Sequence, residues 1–528
     1  MTISVLLLIE TVLALCAAKA VYQVIYNLYL SPLKHFPGPI LYRATSIPFD
    51  IEWVNGRSHI ALTRLHDKYG PIVRVRPNEL SYIDGRVWKE VYGYRSGHEE
   101  WFKGDGFKYV NGTPGITLAP KEAHRRYRRS LAHAFSNQGL KEQTPRIQGY
   151  ADELVAILEK YKDLGPVDMV KWLSWTTTDI IGDLAFGESF DCLKSEKEHH
   201  FLALTFKVLR PALVIAVLER WNLMILAFFL LPGDTIPGIK SNAQYIWEKL
   251  QKRLSYGKAR GDFFDYLLKH DLVVDSENGF KEMKEGQEGF TIQELESNAQ
   301  DFVFAGSETT ATVLSGAIYF LLRNPRALAS VAQEVRTRFS RSEDITVAST
   351  NALDMPYLDA VCHETMRIYD PVPLFAARVA PKGGDTINGA YVPEGTRVQC
   401  AKYVANRSEY NFAKPHDFVP ERWFPVGEGR PKTFENDNRH GVFLPFSFGS
   451  RNCLGINMAK AEMHLILAKL LWQFDFSRPN LSTKEKDEWD LWVERQKVWF
   501  LWMKPPLMVD VKKRKDVSVC RQEYNRSI

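Results

Sequence analysis

The chain has 528 residues, 45% of them hydrophobic and 25% charged, with a formal net charge of +5. That is ample apolar material for a large core, and too small a charge surplus for so long a chain to carry a nucleic-acid footprint. Its six cysteines include no CxxC pair, which excludes a zinc or iron–sulfur ligand set and leaves no basis for a disulfide framework. No Gly/Ser/Pro-rich linker, charge block or internal repeat divides the chain after its first forty residues, so it reads as one large body.

From the N-terminus, Ser4 to Tyr29 is mostly apolar, interrupted by Glu10, Lys19 and a few neutral polar residues. About twenty such residues span the hydrocarbon of a bilayer. Lys34, Arg43, Arg57, Arg64 and Lys68 follow, whereas Met1 to Glu10 holds no basic side chain, and the positive-inside tendency then puts the body on the cytosolic face. A cleaved secretory signal is the rival, and the missing basic n-region counts against it. Residues 1–30 are read as a single-pass anchor and 31–40, with Pro32, Pro37 and Pro39, as a stiff extended hinge that cannot be helical. Residues 41–510 form the body. Residues 511–528 form a basic tail whose run Lys512-Lys513-Arg514-Lys515 reads as solvated. Four glycosylation acceptor patterns, beginning at Asn111, Asn406, Asn480 and Asn525, would stay unmodified on a cytosolic body.

Further along, His124-Arg125-Arg126-Tyr127-Arg128-Arg129 is either a solvated helix face or an anion site, and composition favours the former. The apolar stretch Leu213 to Leu231, broken by Glu219, Arg220 and Asn222, is too mixed for a membrane span; a lid dipping into the membrane and a buried helix pair both fit it. Thr291 with Glu294 makes a capping box at the head of a helix that runs to Asn324-Pro325, long enough to cross the whole body. Near its middle sits Ala305-Gly306-Ser307-Glu308-Thr309-Thr310. Glycine costs about 1 kcal/mol against alanine inside a helix, so Gly306 beside an acid and two hydroxyls points to a locally opened helix facing a ligand.

Glu364 and Arg367 stand three apart on one helix face, close enough to pair, although a surface ion pair would explain them equally. Pro371-Val372-Pro373 ends that helix, the chain continues through Leu374, Phe375 and Arg378, and Pro420-Glu421-Arg422-Trp423 follows. The most specific segment is Phe446-Ser447-Phe448-Gly449-Ser450-Arg451-Asn452-Cys453-Leu454-Gly455. After it Met458, Ala461, Leu465, Ala468 and Trp472 recur at helical spacing, so an amphipathic helix burying that face is expected. Cys453 then lies near the helix N-terminus, where free N–H groups, the dipole and Arg451 favour an ionised, outward-aimed sulfur. Gly449 and Gly455 let the backbone turn sharply and a flat ligand come close, and Phe446 supplies apolar cover.

The spacing FxxGxRxCxG resembles the haem-binding signature of the cytochrome P-450 superfamily, and the other motifs follow in that family's order. The resemblance implies a mainly α-helical fold with a smaller β-rich part, haem b as cofactor, and Cys453 as the axial ligand of its iron, with Arg451 and Phe446 beside it. A thiolate ligand pushes electron density onto iron and favours O–O cleavage. Glu308 and Thr309 take the places of the family's distal acid and threonine, a proton relay. Glu364, Arg367 and Arg422 match its ExxR and PERF bracket, a structural role, with Trp423 where the family has phenylalanine. His124 and Arg128 resemble its WxxxR propionate-binding helix with histidine in the tryptophan place, and Arg378 matches a second propionate arginine. Phe302, Ala305, Leu374 and Phe375 would line an apolar substrate pocket.

With no dinucleotide fingerprint, flavin module or iron–sulfur set in the chain, the resemblance implies electrons delivered from NADPH by a separate membrane-bound flavin reductase. It also implies an endoplasmic-reticulum membrane location with the catalytic body cytosolic, and insertion of one atom of O2 into a lipophilic small molecule, most commonly as a hydroxylation. The sequence is similar in flavour to filamentous-fungal microsomal members that oxidise secondary metabolites. Two other readings use the same residues: a haem-thiolate isomerase or dehydratase that needs no reductase, against which the intact Glu308-Thr309 pair argues, and a haem sensor or carrier.

Overall fold

The computed structural model of the chain describes residues 2–104, 109–256, 260–265, 289–374 and 377–514. Thirteen helices of eight or more residues are present among them: α1 (Thr2–Ile25), α2 (Ile47–Val54), α3 (Ser58–Tyr69), α4 (Lys121–Leu131), α5 (Asn137–Tyr161), α6 (Met169–Phe186), α7 (His200–Arg220), α8 (Thr235–Ser255), α9 (Ile292–Arg323), α10 (Pro325–Arg338), α11 (Pro356–Ile368), α12 (Ile456–Gln473) and α13 (Thr483–Asp490). Strands are short and few, so the expectation of a mainly helical fold with a smaller β-rich part holds.

Helix α9 organises the body. Both halves of its capping box form, Glu294 N–H donating to Thr291 Oγ1 at 3.2 Å and Thr291 N–H to Glu294 Oε2 at 2.8 Å. Its 32 residues make a rod about 48 Å long at 1.5 Å per residue. It packs lengthwise on α6 and also meets α8, α11 and α12. The helix is continuous through Gly306, which corrects the expectation of an opened segment. A Cβ at Gly306 would stand 2.6 Å from Ile181 Cδ1, so this glycine allows α6 to lie close.

Helix α12 buries Met458, Ala461, Leu465 and Ala468 as expected, with Trp472 half-buried, but it is not amphipathic: Glu462, His464, Ile466, Leu467, Lys469 and Leu470 are buried too. Burial of its polar members is tolerated because they find partners, His464 on Asp359 at 3.1 Å and Lys469 on Asp152 at 2.5 Å.

A five-stranded sheet lies beside the helices in the order β1 (Ile72–Arg76), β2 (Glu79–Tyr82), β8 (Arg397–Cys400), β5 (Arg378–Val379), β3 (Phe102–Lys103), antiparallel except for the parallel β2–β8 pair. Its far edge sets Lys103 directly opposite Arg378. Strands β4 (Val167–Asp168), β12 (Met508–Lys513) and β9 (Phe474–Ser477) form a second sheet, and β6 (Asp385–Ile387) with β7 (Ala390–Val392) a separate hairpin. Lys512 and Lys513 belong to β12, opposite Asp475 and Phe474, with exposed side chains, and Arg514 lies over the Trp472 ring, so the strand continues past 510 into the basic run; residues 515–528 lie outside the described residues. Strand β10 (Lys497–Trp499) turns through Phe500 into β11 (Leu501–Met503), which rests against α9.

The N-terminal region departs from the expected hinge. Pro32–His35 forms a 3-10 turn whose first N–H groups are capped by Ser31, since proline is compatible with the first turn of a helix. The base of α1 is fastened to the body: Asn27 Nδ2 donates to Ala44 O at 2.8 Å, and the fully buried Arg74 of β1 donates to Asn27 O at 2.9 Å and Ser31 Oγ at 3.2 Å. Helix α1 itself is exposed, and both it and α7 are long and apolar enough to cross a membrane. The stretch 213–231 is neither a span nor a buried pair throughout. Leu213 and Leu218 are buried on α7, whereas Leu223, Ile225, Phe229 and Leu230 beyond it are exposed. The end of α7 is clamped to α2 by Arg220 and the Trp221 indole, both donating to Asp50, at 2.6 and 3.1 Å.

Candidate active site

The cysteine loop is closed at its base by Cys453 N–H donating to Phe446 O at 2.8 Å. A 3-10 turn over Gly449–Arg451 tightens it. Gly449 has φ +79°, and a Cβ there would stand 2.0 Å from Tyr92 O, so only glycine fits. Gly455 is the N-cap of α12 with nothing within 4 Å of where a Cβ would be. The Cys453 side chain is accessible, and so is Ala305 in the middle of an otherwise buried stretch of α9. An exposed alanine at that depth means this face of α9 borders a cleft.

The protein around the sulfur does not by itself favour the anion. Burial pushes the Cys453 thiol up, and the Gly455 amide with Arg128, Lys402 and Lys103 opposes that only in part. The Arg451 guanidinium is committed elsewhere, donating to Glu100 at 2.6 Å and Ala119 O at 2.8 Å. A coordinated metal ion would supply the missing stabilisation, since a ligating thiol is deprotonated outright.

The basic run on α4 divides. Arg125 and Arg129 face outward, Arg126 pairs with Glu294, His124 is buried, and Arg128 reaches the cysteine loop, donating to Asn452 O at 2.7 Å and to the Asn452 side chain. His124 is pushed down to about 3, first by burial and then by Arg451, Lys103, Arg128 and Arg378. Lys103 is pushed down to about 7 by burial and by Arg378 and Arg451. Arg378, 1% exposed, is lowered to about 10 by burial; it lies over the Tyr92 ring and donates only weakly, to Trp101 O at 3.3 Å. Its Nε has no hydrogen-bond partner.

Five basic groups therefore converge on the cleft beside the cysteine, with Glu100 the carboxylate held directly by one of them. Such a cluster, with a buried guanidinium nitrogen left unsatisfied, is built for carboxylates that arrive with a ligand. A flat group carrying two carboxylates and an iron for Cys453 satisfies every one of these features, so the residues fit haem. Lys103 is the member that sequence reasoning missed. It reaches the site through the β3–β5 pairing, which no local pattern announces.

On α9, Thr309 Oγ1 donates back to Ala305 O at 2.7 Å, one turn earlier. Glu308 is 3% exposed and turns the other way: it forms an ion pair with the buried Lys504, which also donates to Thr312 Oγ1 at 2.8 Å. The remaining oxygen of Glu308, Oε1, has no partner. Acid and threonine thus sit on adjacent faces of the helix and do not face the cleft together, a correction to the paired arrangement expected. Lys504, delivered by the end of β11, carried no signal in the sequence.

The loop at 109–118 is strapped to the first half of α9. Tyr109 Oη donates to Asp301 Oδ1 at 2.6 Å, Ile116 N–H to Asn298 Oδ1 at 3.0 Å, and Ser297 Oγ to Thr113 O at 2.7 Å. Of the expected pocket residues, Ala305 is exposed to the cleft and Leu374 half-buried, while Phe375 lies outside the described residues. Phe302 is 7% exposed and packed against Phe135 and Phe263, each with ring centroids 5.7 Å away, so it braces the wall rather than lining it. Phe446 is half-buried against the main core.

Behind the loop, the ExxR pair is buried outright. Glu364 accepts from Arg367 Nε and NH2 at 2.9 and 2.8 Å, from Arg422 Nε at 2.9 Å, from Val419 N–H at 2.9 Å and from Trp423 Nε1 at 2.9 Å. Burial pushes its carboxyl up, and the two guanidiniums with the amide outweigh that, leaving it below the usual range.

Comparison with known proteins agrees with this geometry. The family model for cytochrome P450 matches residues 41–501. An averantin hydroxylase of Dothistroma septosporum is 40% identical over 488 residues, 92% of this chain and 88% of that protein. A cytochrome P450 monooxygenase of Aspergillus oryzae, aclL, is 37% identical over 93% of this chain and 96% of its own length. A versicolorin B desaturase of Dothistroma septosporum is 35% identical over 95% and 94%. The family match over most of the chain and relatives of 35–40% identity along nearly their whole length show that the chain belongs to the cytochrome P450 family and is a monooxygenase, similar to those of fungal secondary metabolism.

Proposed function

We propose that this enzyme hydroxylates or desaturates a lipophilic biosynthetic intermediate, taking electrons from NADPH through a separate flavin reductase. The observation that carries this reading is the accessible Cys453 beside a cation cluster whose Arg378 Nε lacks a partner. Haem bound there supplies the oxygen chemistry, its thiolate ligand favouring O–O cleavage.

The remaining roles belong to the chain. Cys453 Sγ ligates the iron. Arg128, Arg378, Lys103 and Arg451 would hold the carboxylates of the bound group, with His124 as a neutral neighbour. Thr309 presents its hydroxyl at the cleft face of α9 as the last proton donor, and Glu308 passes protons to it from the Lys504 side. The accessible face at Ala305, with Leu374, receives an apolar substrate. Helix α1 anchors the chain in the endoplasmic-reticulum membrane with the body cytosolic, and the exposed Leu223, Ile225, Phe229 and Leu230 rest in the lipid headgroup region, where apolar substrates are concentrated.

A carbon monoxide difference spectrum of the reduced protein tests the ligand: wild type should give the thiolate-type band and Cys453→Ala should not. Reconstitution with a fungal reductase and NADPH tests the reaction, with averantin and versicolorin B, named for relatives, as first substrates. NADPH-independent turnover would favour the isomerase or dehydratase, and loaded protein that consumes no NADPH with any compound would favour a sensor.

A further inference from the structure

Lysine is almost never fully buried unless paired, yet Lys402 is 1% exposed. It opens a four-residue helix, Lys402–Ala405, directly after strand β8. Its Nζ stands 3.0 Å from the Asp370 carboxylate, itself fully buried, and donates to Pro445 O at 3.2 Å. Pro445 is joined to Phe446, whose carbonyl accepts the Cys453 amide at 2.8 Å. Asp370 is bound away from the loop: its Oδ1 accepts from Val372 N–H at 2.8 Å and its backbone carbonyl from the Trp502 indole at 2.7 Å. The pair is an oriented dipole with its positive end against the cysteine loop.

Lys402 is among the cations that favour a charged Cys453 sulfur, with Arg128 and Lys103. Those two belong to the cluster that would meet a ligand's carboxylates, which would offset their charge. Lys402 reaches the sulfur from the loop stem, where no ligand group arrives, and water cannot screen it.

We infer that Lys402 is a positioning residue for the iron–sulfur bond: its ammonium, acting through the Pro445–Phe446 stem, stabilises negative charge on the ligated sulfur and raises the reduction potential of the iron. The chemistry is electrostatic, with no bond made or broken. Reduction adds one negative charge to the iron–thiolate unit, and a fixed cation favours that more negative state. For unit charges roughly 10 Å apart at an effective dielectric of about 20, the attraction of the ammonium alone is worth about tenfold in an equilibrium constant, an upper bound because the Asp370 carboxylate on its far side subtracts part of it. The inference rests on haem ligation by Cys453.

The test is a spectroelectrochemical titration of haem-loaded, full-length Lys402→Met, Lys402→Gln and Lys402→Arg against wild type, with the carbon monoxide difference spectrum of each. At the wild-type midpoint, Lys402→Met and Lys402→Gln should be less reduced by up to about tenfold, a one-electron shift of up to about 59 mV downward, while Lys402→Arg keeps the wild-type midpoint. Glutamine retains a donor for Pro445 O, so it separates charge from the hydrogen bond and carries the test if the methionine variant fails to load. A wild-type midpoint in Lys402→Gln, or an equal shift in all three variants, overturns the inference. Absence of the thiolate-type band in wild type would overturn the haem reading instead.

Discussion

The Trp423 indole N–H donates to Glu364 Oε2 at 2.9 Å, inside a bracket where both oxygens of that carboxylate are otherwise held by guanidinium groups and one amide. Phenylalanine, the residue the family places here, has no such donor. Trp423→Phe should keep the aromatic contact with Phe443 and lose one hydrogen bond to a charged acceptor, about 1.5–3 kcal/mol. Urea denaturation of the haem-loaded protein would show that loss with an unchanged slope. Glu364→Ala strands Arg367 and Arg422, both 0% exposed, and should cost about 3–5 kcal/mol or more, so that little loaded protein accumulates.

Lys504 and Glu308 form a buried pair, each side chain less than 5% exposed. Removing one partner leaves an uncompensated charge, so Lys504→Met should destabilise by about 3–5 kcal/mol. The double variant Lys504→Met/Glu308→Gln should recover much of that, a coupling that a double-mutant cycle reads directly. If Glu308 feeds protons to Thr309, Glu308→Gln should lower product formation by about 10²-fold while NADPH is still consumed. Unchanged coupling of NADPH to product in both Glu308→Gln and Thr309→Ala would remove the relay.

The convergence of Lys103, His124, Arg128, Arg378 and Arg451 predicts opposite effects on loaded and unloaded protein. Arg378→Met relieves repulsion and removes the unsatisfied Nε, so the haem-free protein should melt higher. The loaded protein should lose haem faster to an acceptor globin, because a bidentate partner for a carboxylate is gone. Arg378→Lys should not rescue retention fully, since lysine is a point charge.

Glu462 gives a pH dependence. Burial raises its carboxyl to about 8, against a usual value of 4.5, with Thr310 the partner that opposes this. Between pH 4.5 and 8 the folded chain keeps a proton that the unfolded chain releases. Stability from this group is therefore complete below about pH 4.5 and falls by up to about 1.4 kcal/mol per unit until about pH 8. Glu462→Gln should abolish that slope, so the variant overtakes wild type as pH rises in a series of urea melts.

What could be read from residues alone was what local chemistry dictates. Thr291 and Glu294 form their capping box because both partners lie within one turn. Glu364 and Arg367 pair because helical spacing brings them together, and the ten-residue cysteine loop carries its own turn chemistry. The misreadings share a cause. Gly306 looked like an opened helix because its partner, Ile181, lies 125 residues away in sequence. Helix α12 looked amphipathic because the residues that satisfy His464 and Lys469 come from other helices. Arg451 was assigned to the sulfur, and Glu100 on a distant loop claims it. Lys103 and Lys504 reach the site through strands whose pairing depends on the assembled sheet, so no window of sequence contains the relationship.

The tie between Arg74, Asn27 and Ser31 fixes more than a turn. Because the guanidinium that holds the foot of α1 is itself a residue of the edge strand β1, the body has no swivel at that joint: the angle between the exposed apolar rod and the sheet is a built-in dimension of the protein. A shortened chain that begins after Ser31 would expose a buried cation with nothing to hold, whereas one that begins before Asn27 would keep the foot intact and shed only the rod.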